Sequence, residues 1–122
     1  MTLTTGGDMM NIQIFGTKKS FDTKKAQRYF QDRRIPFQFI DLKEKGLSPG
    51  EFSSVKQAVG GIAAMVDTQC KDKDALALIQ YSIESDKEKL ILDNQQVLVM
   101  PIVRNGKKAT IGYCPDVWKQ WE

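Results

Sequence analysis

Histidine is absent from all 122 residues. Its absence removes the usual neutral-pH general base and the commonest nitrogen ligand for metals. Serine–histidine and cysteine–histidine catalysis within the chain are thereby excluded. Cysteine is scarce: Cys70 and Cys114 stand far apart, in no metal-ligand spacing, so no metal site is expected. No apolar run approaches the roughly 20 residues that a membrane helix needs, and no membrane association is expected. The opening stretch, MTLTTGGDMM, lacks the basic start and apolar core of a signal peptide. We therefore expect residues 1–9 to be a disordered leader or a cloning remnant, residues 10–122 to form a single domain, and the setting to be reducing and cytoplasmic.

The balance of 41% hydrophobic and 27% charged residues is that of a globular domain and argues against disorder. A net charge of +3 is too small to imply a polyanion, so no direct nucleic-acid partner is expected. The charge is nevertheless uneven. Lys18, Lys19, Lys24, Lys25, Arg28, Arg33 and Arg34 crowd one stretch against only Asp22 and Asp32. Such a stretch is either a solvated helix face or a docking surface for an acidic partner.

Residues 11–16 alternate polar and apolar up to Phe15 and Gly16, the pattern of a strand running into a turn. Ser20 suits the N-cap of a helix, and Asp22 would place a negative charge in its first turn. Ala26, Tyr29, Phe30 and Arg33 share one face of that helix, which ends before Pro36. A second strand is expected over 37–42. In GLSPGEF, Ser48 is an N-cap, Pro49 occupies the first helical position and Glu51 completes a capping box. Gly60 and Gly61 stop that helix. Short helices are expected over 74–82 and over 86–93, the latter capped by Ser85. QVLVMPIV reads as a strand interrupted by Pro101, Asn105-Gly106 as a hairpin turn and ATIGY as the returning strand. A last helix begins at Pro115, with Trp118 sealing it on the sheet and Trp121 partly exposed.

This order is that of an α/β, thioredoxin-like layout: a mixed sheet of about four strands with an all-helical insert. In such a fold the proline entering the third strand can be cis, and Met100-Pro101 stands at that place.

Four stretches, IFGTKKSFDTKKAQRYF, FIDLKEKGLSPGEF, MPIVRNGKKATIGY and GYCPDVW, together resemble the arsenate reductase (ArsC)/Spx family, in order over residues 10–121. The resemblance implies thiol chemistry. The family's reductases use a cysteine thiolate before the first helix to attack arsenate, and a thiol such as glutathione releases arsenite. Spx-type regulators carry a redox-sensing cysteine pair there and dock on the C-terminal domain of the RNA polymerase α subunit. Here Ser20 stands at the first cysteine position and Thr23 at the second. A serine hydroxyl stays protonated at neutral pH and cannot form the disulfide that completes reduction. The family's arginine before the cis-proline is matched by Met100, and the one before the last helix by Cys114. The segment matching the third, MVDTQCK, contains none. A single engineered replacement at Ser20 would not explain the altered arginine positions.

Two functions follow from the resemblance and its departures. The first is a binding or regulatory protein with a degenerate site, in which Lys18, Lys19 and Ser20 retain some affinity for an anion and the basic helix face docks a protein such as the polymerase α subunit. No cofactor is expected in that case. The second is an oxidoreductase of arsenate reductase or glutaredoxin type with relocated chemistry. It would use Cys114, its pKa lowered by the amides of the last helix, with glutathione as co-substrate and a small thiol or oxyanion as ligand.

Overall fold

The computed structural model describes residues 10–122. The leader expected over 1–9 lies outside the described residues. Strand β1 (Ile12–Gly16) leads through a short loop into α1 (Phe21–Asp32), and β2 (Phe37–Asp41) follows. Three helices come next: α2 (Pro49–Val59), α3 (Lys73–Gln80) and α4 (Glu84–Asp93). A hairpin of β3 (Ile102–Asn105) and β4 (Lys108–Ile111) then leads to α5 (Pro115–Trp121).

The four strands form one sheet in the order β2-β1-β3-β4, with β1 and β2 parallel and the other pairings antiparallel. The period of two along each strand divides its side chains between two cores. Ile12, Ile14 and Val103 pack with Ala26, Tyr29 and Phe30 of α1 and with Trp118 of α5. Phe15, Ile40 and Ile102 belong to the opposite core, with Phe52 and Val55 of α2, Ile79 of α3 and Ile91 of α4. Each fully buried valine, isoleucine or phenylalanine among them contributes about 1.5–3 kcal/mol of hydrophobic stabilisation. The result is the thioredoxin-like mixed sheet with a helical insert.

Helix boundaries follow local chemistry where that chemistry is strong. Ser48 and Glu51 form the reciprocal capping box: the Glu51 carboxylate accepts the Ser48 amide at 2.9 Å, and the Ser48 hydroxyl accepts the Glu51 amide at 3.2 Å. Gly60 ends α2 in the left-handed region at φ 91. The end of α1 uses a residue less suited to that conformation. Arg34 has φ 58, its amide donates to Gln31 O at 3.0 Å, and the Ile35 amide donates to Phe30 O at 2.9 Å. This is a Schellman-type close with arginine where glycine is usual.

Several boundaries differ from those read in the sequence. Helix α3 spans Lys73–Gln80, capped by the Asp72 carboxylate, which accepts the Ala75 amide at 3.0 Å. Helix α4 begins at Glu84 with Ile83 at the N-cap, so Ser85 lies inside the first turn and does not cap it. Gln95–Val97 is a 3₁₀ turn, and Leu98 makes an isolated bridge to Val66 before β3 begins. The apolar run there packs as a connector instead of extending the sheet. In the hairpin Asn105 pairs with Lys108, so Gly106 and Lys107 are the two turn residues. Gly106, at φ 62, takes the first central position, the place where a two-residue hairpin turn favours glycine.

Candidate functional site

The loop between β1 and α1 is built by hydrogen bonds to its own backbone. The Ser20 amide donates to Thr17 O at 3.2 Å, closing a tight turn through Lys18 and Lys19. Ser20 is the N-cap of α1, and its hydroxyl accepts the Thr23 amide at 3.2 Å. Its backbone carbonyl accepts the Lys24 amide at 3.2 Å. The side-chain oxygen thus gives one of its two lone pairs to the cap. Lys18 and Lys19 are both exposed.

Behind the cap, Thr23 is wholly buried. It packs against Gly16 so closely that a Cβ at position 16 would overlap its side chain. The strand end therefore needs glycine for close approach. The Thr23 hydroxyl oxygen is buried without a hydrogen-bond partner. The position that the family resemblance matches to a second cysteine is sealed between strand and helix.

Just before the neighbouring strand β3, the Met100–Pro101 peptide bond is cis. The Thr17 hydroxyl donates to the Met100 thioether at 3.6 Å, so the loop before α1 and the entry to β3 meet through these two side chains. Pro101 is buried, and its carbonyl accepts the Gly112 amide at 2.8 Å.

Cys114 is the half-buried N-cap residue of α5, but its side chain caps nothing. Its thiol instead donates backward to Ile111 O at 3.2 Å. Burial pushes the Cys114 thiol up from its ordinary value of 9.0, offset in part by a hydrogen bond with the Thr110 side chain. This corrects the expectation of a lowered pKa. The helix amides do not reach the sulfur, so desolvation of the thiolate prevails. Ser20 and Cys114 each find their hydrogen-bond partner within their own segment. Cys70 is buried and free, with its thiol 3.4 Å from Gln96 O. Among the described residues no group of three His, Cys, Asp or Glu side chains could hold a metal ion. Nor is any helix long and apolar enough to cross a membrane.

The cationic stretch is laid out along α1 and its flanks. Lys18, Lys19, Lys24, Lys25, Arg28, Arg33 and Arg34 are all exposed. Arg33 lies 3.5 Å from the Glu122 carboxylate and stacks 3.7 Å over the Tyr29 ring. The other six have no carboxylate within 4.0 Å among the described residues. Lys25 lies 4.4 Å over the ring of Tyr113 and 5.9 Å from that of Phe21. Phe21 is 73% exposed and Tyr113 37%. This aromatic pair escaped sequence reading. Its one local signal was Phe21 at the first helical position, where a side chain falls outside the packed face.

No family model matches this sequence, and no curated protein matches it by sequence. Solved structures do match by shape. An arsenate reductase from Vibrio cholerae superposes with a TM-score of 0.78 at 19% identity, over 93% of this chain and 98% of the other. A protein described as ArsC family related, from Bacteroides fragilis, superposes at 0.79 with 14% identity, over 93% and 99%. An arsenate reductase (ArsC) related protein from Brucella melitensis gives 0.61 at 17%, over 91% and 93%. At these identities the likeness speaks of architecture. The chain therefore shares the thioredoxin-like fold of these ArsC-type structures.

Proposed function

We propose that the chain is a non-catalytic, ArsC/Spx-like protein that acts by binding, and that the cationic face of α1 is its docking surface. One observation carries this reading. Six exposed cations along α1 and its flanks have no carboxylate within 4.0 Å among the described residues, with two exposed aromatic rings beside Lys25. A face of this kind favours an acidic protein surface and speeds the encounter with it. The C-terminal domain of the RNA polymerase α subunit is the partner that the Spx resemblance suggests. At the helix start, Lys18 and Lys19 beside the α1 amides supply weak affinity for an anion.

The inherited reduction has little support from the chemistry at hand. No histidine is present to take the Ser20 proton, and burial pushes the Cys114 thiol up from its ordinary value. The deciding experiment is binding of the purified chain to the isolated α-subunit domain, beside a Lys25→Glu/Arg28→Glu variant. Both positions are exposed, so the variant should fold. We expect saturable binding that weakens with salt and is lost in the variant. Turnover of arsenate with glutathione by the unaltered chain would refute the proposal. Absence of binding would remove the polymerase partner.

A further inference from the structure

A groove of about 620 Å³ opens in the helical layer, away from the Ser20 loop. Its size is that of a small-molecule site. One wall is the end of α2 and the 3₁₀ turn that follows (Ile62–Met65); the other is the end of α3 and the start of α4. Gly60 and Gly61 carry the chain out of α2, and nothing stands within 4 Å of where their Cβ atoms would be. The lining is apolar at Ile62, Ala63, Val66 and Ile79.

Two ammonium groups border this apolar floor. The Lys56 Nζ lies 3.2 Å from the Glu88 carboxylate. The Lys87 Nζ donates to Ile79 O at 2.7 Å and to Gln80 O at 3.4 Å, the carbonyls at the end of α3. Those acceptors are neutral, and no carboxylate lies within 4.0 Å of Lys87 among the described residues. An ammonium has three donors, so each lysine keeps at least one for a ligand. Glu84 also lines the groove and Glu88 already pairs with Lys56, so the charge at the groove that is free for a ligand is that of Lys87.

We propose that this groove binds an apolar monocarboxylic acid, its chain or ring against Ile62, Ala63, Val66 and Ile79 and its carboxylate on Lys87 and Lys56. Burial of the apolar portion supplies the attraction, and Lys87, which no carboxylate pairs among the described residues, selects the charge. The inference is independent of the α1 surface.

The test is a titration of the full ¹⁵N-labelled chain with decanoate, decanol and decylamine, each below its aggregation limit. Decanoate should give saturable amide shifts confined to the groove lining, among them Lys56, Ile62, Ala63, Val66, Ile79 and Lys87. It should bind about tenfold more tightly than decanol, the effect of one hydrogen bond to a charged group. Lys87→Gln should remove that advantage. Ala63→Glu, at an exposed lining position, should abolish binding, and it decides the matter if Lys87→Gln fails to fold. Equal affinity for decylamine or decanol would overturn the proposal. So would shifts scattered across the chain or absence of saturation. Concentration-dependent shifts of the same amides without ligand would show a second copy covering the groove and would equally overturn it.

Discussion

The indole N–H of Trp118 donates to the hydroxyl of Thr110 at 2.7 Å, tying α5 to β4 inside the core. Both residues are buried, Trp118 completely. The indole also meets Tyr29, Phe30 and Tyr113 in edge or tilted contacts at 5.2–5.5 Å. Replacing Thr110 by valine keeps the shape and strands the indole N–H without an acceptor. Thr110→Val should therefore cost about 1–3 kcal/mol, and Thr110→Ser much less. Urea unfolding followed by tryptophan fluorescence reads both. An unchanged midpoint for Thr110→Val would mean that the bond contributes nothing to stability.

Thr23 calls for the opposite result. Its hydroxyl is buried and unpartnered against Gly16. Thr23→Val removes that oxygen while keeping the branched shape and the amide that donates to Ser20. Stability should rise by about 1 kcal/mol, the lower end of the cost of an unsatisfied buried hydroxyl. Ser20→Ala, which removes the cap itself, should lower it by about 1 kcal/mol. A drop for Thr23→Val would show that the hydroxyl finds a partner in solution.

The Cys114 thiol has a signed pH dependence. Its pKa lies above the ordinary value because burial penalises the thiolate. The folded state therefore holds this proton more tightly than the unfolded state does. The resulting stability is fully present below the ordinary thiol value of 9.0 and is lost as pH rises through the folded value. Iodoacetamide should accordingly modify Cys114 more slowly than a free model thiol at pH about 8, with the rate still climbing above the ordinary thiol range. Peptide mass spectrometry distinguishes Cys114 from Cys70. Faster modification than the model thiol at neutral pH would restore the oxidoreductase reading.

What could be read in the sequence was mostly what is local. The Ser48–Glu51 box, the Ser20 cap and the Gly60 stop each depend on residues within four positions of one another, and each stands where it was expected. The same holds for the order of strands and helices. Features set by contacts across the chain were not legible. The hairpin turn moved to Gly106 and Lys107 because pairing with β1 and between the two strands sets the register. Gln96 and Val97 left the expected strand for the 3₁₀ turn Gln95–Val97, and the Gln95 amide side chain bonds across 48 positions to both Leu47 N and Leu47 O. The orientation of the Cys114 thiol was equally hidden. A cysteine before a helix suggests amide contact, and only the backbone path reveals the nearer carbonyl of Ile111.

The close approach of Gly16 and Thr23 makes the two positions a single steric unit. The end of β1 and the first turn of α1 share one allotment of space, so their side-chain sizes can drift only in opposition. A chain of this fold that acquires a side chain at position 16 must shrink the one at position 23. A chain that keeps glycine at 16 is free to exchange threonine for the slightly smaller cysteine at 23. That exchange would leave the thiol buried against the strand end, behind the helix cap.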